Sequence, residues 1–304
     1  MPSIPATRIY PPLLTLDSQV KVLAPAGPVK KDVLADGLGK LRYPVKVADG
    51  VYATDGFWAG SKDHRTSELQ QAIDDSTLSA IWCARGGFGV TTILDDLNLE
   101  PLATHPRWLI GNSDITALLI HLWALHGLCS IHGPMAMRFA SYPDVDVDAL
   151  HRLLERGCHS EKCRLQSFSS GTANGPLIGG NLTMIAHMMG TLSPAFADDC
   201  ILFLEDVAEA PYRIERNLVQ LRRNGIFKKI NGIVLGEFTS CHEGRDGVSV
   251  DVVLRRNLLP LQIPIAAGYP AAHGKRNRPF VHGHPVSLDV SDTSATMMDF
   301  PFPT

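Results

Sequence analysis

Short apolar runs alternate with amphipathic stretches through the first half of the chain. "VKVLAPAG" (Val20 to Gly27), "YPVKVAD" (Tyr43 to Asp49), "SAIWCARGGFG" (Ser79 to Gly89), "RWLIGNSD" (Arg107 to Asp114) and "CSIHGP" (Cys129 to Pro134) read as strands. "KKDVLADGLGKL", "SKDHRTSELQQAIDD" with Ser61 as N-cap, "VTTILDDLN" and "ITALLIHLWALHG" read as helices between them. Strand, helix, strand, helix is the pattern of a parallel sheet covered by helices on both faces. Ligands bind such sheets beyond the carboxyl ends of the strands. Three of those ends, "APAGP", "ARGGFG" and "GNSD", are rich in small or polar residues and are predicted to lie together along one edge.

A chain of 304 residues accommodates two domains. The pattern changes between residues 140 and 178, where a short helix is followed by a Ser/Gly/Asn-rich stretch. The predicted division is an N-terminal α/β domain at 1–150, a linker at 151–178 and a C-terminal mixed β/α domain at 179–304. In the last of these, "CILFLEDV", "INGIVLGEF", "IPIAAGYP" and "VSLDV" read as strands. "LTMIAHMMG", "YRIERNLVQLRRNG" and "VSVDVVLRRNLL" read as helices.

Composition removes several classes of function. The chain is 45% hydrophobic and 19% charged, enough for a large core and unlike a disordered protein. Its net charge is −3, and no basic stripe marks a nucleic-acid surface. "KDHR", "RIER" and "QLRRNGIFKK" read as solvated faces. No run approaches the ~18 apolar residues of a membrane span, and the Pro-rich N-terminus lacks the features of a signal peptide. These features predict a soluble, cytoplasmic protein with no membrane or nucleic-acid partner. The six cysteines include no CxxC pair, and neither Cys158-His159 with Cys163 nor Cys241-His242 finds the second half of a metal site. No metal and no cofactor is expected.

Ser113 stands where a strand hands over to a helix, beside helix N–H groups that have no intrahelical partner. Negative charge developing there meets those groups and the positive end of the helix dipole. This is the physics of a nucleophile elbow, although "GNSDI" lacks the second Gly of G-x-S-x-G, and a helix cap explains the same residues. The paired glycines of "ARGGFG" suit an oxyanion or a phosphate, or simply a tight turn. Glu205 and Asp206 end the apolar run "CILFL", where an acid needs a cation or an imidazole N–H. His273 lies in the Gly/Pro-rich loop after "IPIAAGYP"; His132 in "CSIHGP" is the rival base, and Cys83 a weaker rival nucleophile. A serine needs a neighbouring base, and the base needs an acid to fix its tautomer.

"RGGFG", "GNSDITALL", "GGNLTMIAHMMGT", "LFLEDVAEAPYRIER" and "GYPAAHG" occur in this order over about residues 18–290. Together they resemble the LD-carboxypeptidases, the muramoyl-tetrapeptide carboxypeptidase family of serine peptidases. The resemblance implies a flavodoxin-like N-terminal domain and a metal-free cytoplasmic enzyme of peptidoglycan recycling. Such an enzyme releases terminal D-alanine from murein tetrapeptides. The resemblance assigns Ser113 as nucleophile, Glu205 as orienting acid, His273 as general base, and the Gly87 and Asp114 amides as oxyanion donors. Arg85 is the candidate for the substrate carboxylate, with Asn181 lining the pocket or capping the next helix. A homodimer is expected. The chain departs from the family pattern at Asn112, at Ala272 and in "KRNRPFVHGHP", which bears on the pocket wall. Two other readings stand beside this one. One is a microcin-immunity-like peptidase cleaving peptidyl-nucleotides; the other is a non-catalytic module in which the glycine turn cradles a phosphate.

Overall fold

β-Branched and aromatic residues bounded by glycine, proline or polar corners set the strands of the first half. The computed structural model describes residues 8–159, 161–191, 194–271 and 273–303; Ala272 lies outside them. The first half runs β1 (Val20–Leu23), α1 (Lys31–Leu38), β2 (Val45–Val47), α2 (Lys62–Asp74), β3 (Ala80–Cys83), α3 (Glu100–Thr104), β4 (Trp108–Gly111), α4 (Thr116–His126) and β5 (Ser130–His132). Ser61 caps α2, its hydroxyl accepting from the His64 amide at 3.2 Å. "VTTILDDLN" forms two 3-10 turns and not a continuous helix.

The second half runs α5 (Asp144–Arg156), β6 (Cys163–Ser169), β7 (Gly171–Asn181), α6 (Leu182–His187), β8 (Ile201–Val207), α7 (Pro211–Arg223), β9 (Gly232–Thr239), α8 (Val250–Leu258), β10 (Ile265–Ala267), β11 (Phe280–His282), β12 (Pro285–Val290) and β13 (Ala295–Asp299). The stretch read as a linker, 151–178, thus holds the end of α5, all of β6 and most of β7. Its polarity has a simple cause: β6 begins by alternating buried and exposed positions, so Arg164 and Gln166 face water.

The sheet order is β2-β1-β3-β4-β5, all parallel, the flavodoxin-like 2-1-3-4-5 order. Its switch point lies between β1 and β3. β11 adds to the far edge, antiparallel to β5, so a piece of the C-terminal sequence completes the N-terminal sheet. The remaining strands close into a barrel in the order β10-β6-β13-β12-β7-β8-β9. Leu177, Ile201, Phe203, Val234, Val286 and Leu288 help fill its interior.

α4 joins the two units. It is apolar on nearly every side, with Thr116 to Ile120, Leu122 and Trp123 all buried. A helix apolar all round has to be covered all round; β7, α6 and β5 pack against it. It ends at Gly127, in the left-handed conformation that a C-cap favours. The helix that follows Ser113 is therefore fixed against both units of the protein.

Candidate active site

The loops that follow β1, β3 and β4 meet at the carboxyl edge of the sheet. The Gly27 amide donates to the Gly86 carbonyl at 2.9 Å, across the switch point. Gly86 in turn lies against Ser113: a Cβ built on Gly86 would stand 2.8 Å from the Ser113 Cβ and 3.0 Å from its Oγ. Only glycine permits that approach.

Ser113 has φ of +59°, a left-handed conformation at a non-glycine residue. L-residues avoid this region at a cost on the order of 1–2 kcal/mol. A helix cap does not need it. A sharp strand-to-helix elbow that lifts a hydroxyl clear of the sheet does. The strain therefore favours the functional reading of "GNSD" over simple capping. Ser113 is only partly buried, between the fully covered Asn112 and Asp114.

Asp114 points away from the elbow opening. Its carboxylate accepts from the Val90 amide at 2.8 Å, which ties the segment after the glycine turn to the start of α4. Burial pushes this carboxyl up to about 6, against the hydrogen bonds from the Val90 and Gly89 amides and the charges of Arg65 and His187. A raised carboxyl pKa means that the native state binds the proton more tightly than the unfolded chain. Stability is therefore lost as pH rises from the unfolded value toward 6 and above. Relative to wild type, Asp114→Asn is expected to gain about 2 kcal/mol between pH 4.5 and 7.5, read from urea midpoints at both pH values. Parallel pH curves for the two proteins would contradict the assignment.

Arg65 was not singled out by the sequence, where "KDHR" reads as a solvated face. The structure buries it at 3% exposure. Its guanidinium donates to the carbonyls of Gly89 at 2.8 Å and Pro25 at 3.2 Å and to Thr92 Oγ1 at 3.2 Å. It thereby ties the loop after β1 to the loop after β3. No feature of the sequence distinguishes Arg65 from its exposed neighbours on α2.

Glu205 and His273 lie side by side in the structure. The His273 Nδ1–H donates to Glu205 Oε2 at 3.0 Å, and Glu205 is fully buried. The β8–β9 register shifts between Leu204 and Asp206, beside Glu205, and such irregularities re-aim side chains at strand ends. Asp206 serves the barrel instead, accepting from Asn181 Nδ2 at 2.9 Å and from the Thr183 hydroxyl at 2.8 Å. Asn181 caps α6, its Oδ1 accepting from the Met184 amide at 3.1 Å. Its side chain thus bonds on both sides, to Asp206 and to the start of α6.

A short chain of contacts links the elbow to this pair. The Asn181 amide donates to Thr116 Oγ1 at 3.1 Å, three residues beyond Ser113. Asn181 pairs in register with Glu205 across β7 and β8. The next glycine back, Gly180, has φ of +151° and no room for a side chain, since its Cβ would meet Thr116 Oγ1 at 2.5 Å. His273 is held from the other side, where Arg138 Nη1 donates to its carbonyl at 3.2 Å. Arg276 pins the same loop to α5 through two bonds to the buried Asp146, at 2.7 and 2.8 Å. His273 Nε2 is buried without a hydrogen-bond partner, and no bond joins it to Ser113 Oγ among the described residues.

The rivals are placed as clearly. His132 pairs in register with Gly111 at the end of β5, stacks on Phe280 at 4.9 Å, and is held neutral: burial, with His282 and His273 nearby, lowers it to about 3. Neither of its nitrogens meets a hydrogen-bond partner among the described residues, so no acid orients it. Cys83 is fully buried in β3 and burial drives its thiol well above the ordinary range, which removes the thiolate a nucleophile needs. The Arg85 guanidinium donates to the Pro28 carbonyl at 2.6 Å, on the β1 side of the glycine turn. Gly87 has φ of +113°, and its amide donates to no backbone carbonyl among the described residues.

Models of the LD-carboxypeptidase N-terminal and C-terminal domains match residues 20–133 and 174–288. The chain belongs to the LD-carboxypeptidase family. It is therefore a hydrolase of the peptidase class. The murein tetrapeptide carboxypeptidase of Pseudomonas aeruginosa is 33% identical over 90% of this chain and 94% of its own. The structure of muramoyltetrapeptide carboxypeptidase from Oxalobacter formigenes superposes with a TM-score of 0.79 at 27% identity, covering 94% of this chain and all of that one. MccF in complex with glutamyl sulfamoyl guanosine superposes with a TM-score of 0.84 at 19% identity, covering 96% and 98% of the two chains, a likeness of fold. No helix among the described residues is long and apolar enough to cross a membrane.

Proposed function

We propose that this protein is a serine carboxypeptidase that releases terminal D-alanine from murein tetrapeptides by hydrolysing an L,D-peptide bond. The observation that carries the reading is the strained Ser113 elbow beside the buried Glu205–His273 pair. The 33% identity to a murein tetrapeptide carboxypeptidase supports the substrate. The family resemblance supplies the cytoplasmic setting and the homodimer that belong to the same proposal.

In this mechanism His273 Nε2 takes the Ser113 proton as Oγ attacks the scissile carbonyl carbon. Glu205 holds the imidazole by Nδ1 and stabilises the imidazolium. The oxyanion is received by the Gly87 and Asp114 amides, at the positive end of α4. The C–N bond then breaks as His273 returns its proton to the leaving amine. Water, deprotonated by His273, attacks the acyl-enzyme and frees Ser113. The Ser113–His273 bond is made when substrate closes the site, a tightening common in hydrolases.

One observation favours a second substrate class. Phe57 and Phe88 stand exposed beside the glycine turn, ring centroids 6.0 Å apart, and offer a planar group a surface on which to stack. A peptidyl-nucleotide would use it. Mass spectrometry of a murein tetrapeptide and of a peptidyl-adenylate analogue after incubation with the protein separates the two. Loss of one alanine from the tetrapeptide alone is the expected result; cleavage of the nucleotide conjugate alone would replace it.

A further inference from the structure

The proposed reaction makes a demand that the residues placed so far do not meet. A carboxypeptidase acts on the last residue of a chain, so its leaving group carries a free carboxylate. His273 must hand that leaving amine its proton, so the leaving residue departs on the His273 side of Ser113. A cavity of about 590 Å³ opens beside His273, lined by His273, Arg138, Tyr142, Pro143 and Lys275 among others, with no acidic side chain in its wall.

Two of those residues are cations, and Arg138 is the better placed. Its segment begins at the elbow itself: the methyl of Met135 would lie 3.3 Å from a Cβ on Gly86, the glycine that touches Ser113. The Arg138 amide donates back to the Met135 carbonyl at 3.0 Å. At its other end the guanidinium donates to the His273 carbonyl and lies 5.3 Å from the centre of the buried Tyr142 ring. Both contacts orient the fork and leave most of its five N–H donors for a ligand. The neighbouring Arg276 is already neutralised by Asp146, whereas Arg138 makes no ion pair among the described residues. Arg85 donates to Pro28, on the opposite side of the glycine turn.

We propose that Arg138, assisted by the exposed Lys275, binds the terminal carboxylate of the leaving residue and so determines that this enzyme acts on chain ends. This rests on the carboxypeptidase reading above. Planar, bidentate recognition of a carboxylate is what a guanidinium does and an ammonium does not.

The test compares kcat/KM on a murein tetrapeptide with a free C-terminus and on the same peptide as its C-terminal amide. Wild type is expected to prefer the acid. Arg138→Met, which keeps a stem against Tyr142, is expected to lose about 10- to 100-fold on the acid, mainly through KM, and distinctly less on the amide. Arg138→Lys is expected to recover part of the loss, and Lys275→Ala to lose less than Arg138→Met. Equal losses on both peptides, or an unchanged preference, would overturn the anchor while leaving the peptidase reading intact. A preference abolished by Arg85→Met alone would transfer the role to Arg85. Wild type that cleaves neither peptide would overturn the carboxypeptidase reading and the anchor together.

Discussion

Replacing Ser113 by alanine is expected to lower kcat on a murein tetrapeptide by about a million-fold, with near-ultraviolet circular dichroism unchanged. The rival nucleophile cannot substitute, since Cys83 is sealed in β3. The same position yields a second, opposite reading. Ser113 has φ of +59°, a conformation that glycine adopts without penalty. Ser113→Gly is therefore expected to be as inactive as the alanine variant yet more stable than wild type by about 1 kcal/mol, seen as a higher urea midpoint. Loss of activity with a gain of stability separates stored strain at a functional site from a structural role. A ligand-binding module in which Ser113 only caps a helix would keep its function in both variants.

Changing Glu205 to glutamine is the second large effect. The residue is fully buried and accepts from His273 Nδ1 at 3.0 Å. Glutamine keeps the shape but presents either a neutral oxygen or an amide N–H to the imidazole. With the amide turned toward it, Nδ1 must become the acceptor and Nε2 carries the proton, the wrong tautomer for a base. With the oxygen turned toward it, the imidazolium loses its counter-charge. Either way kcat is expected to fall by about ten-thousand-fold while KM changes little. Asp206 is a matched control. It is also buried, but it ties Asn181 and Thr183, and Asp206→Asn is expected to alter stability more than the protonation of His273. Equal kinetic losses at the two positions would remove the special role of Glu205.

How much of this was legible in the sequence varies with the kind of residue. The parallel sheet was readable because β3, β4 and β5 are buried on both faces and appear as apolar runs ending in glycine corners. The elbow and the glycine turn were readable for the same reason. The barrel was only half visible. β6, β7 and β13 carry many partly or fully exposed positions, so their alternation merges with loop composition. β11 is three residues long and pairs with β5 from far along the chain, a partnership that no local pattern announces. That one strand places the end of the His273 loop on the edge of the N-terminal sheet.

Choosing Glu205 over Asp206 also lay beyond periodicity, since both are buried at the end of one strand and the register shift beside them decides which faces His273. Arg65 and Arg138 illustrate the commonest gap. An arginine that binds loop carbonyls and one that faces water have the same one-letter code, and only the fold distinguishes them. The resemblance to LD-carboxypeptidases supplied what spacing did not, namely the proposal that Ser113, Glu205 and His273, from three separate segments of the chain, act on one bond.

The proposed nucleophilicity of Ser113 depends on the Glu205–His273 pair. Its most direct measurement is labelling by a serine-directed phosphonate, with the adduct located by peptide mass spectrometry in wild type and in Glu205→Gln. A single adduct on Ser113 is expected, formed rapidly in wild type and far more slowly in the variant. An adduct on Cys83, or labelling of Ser113 at the same rate in both proteins, would contradict it.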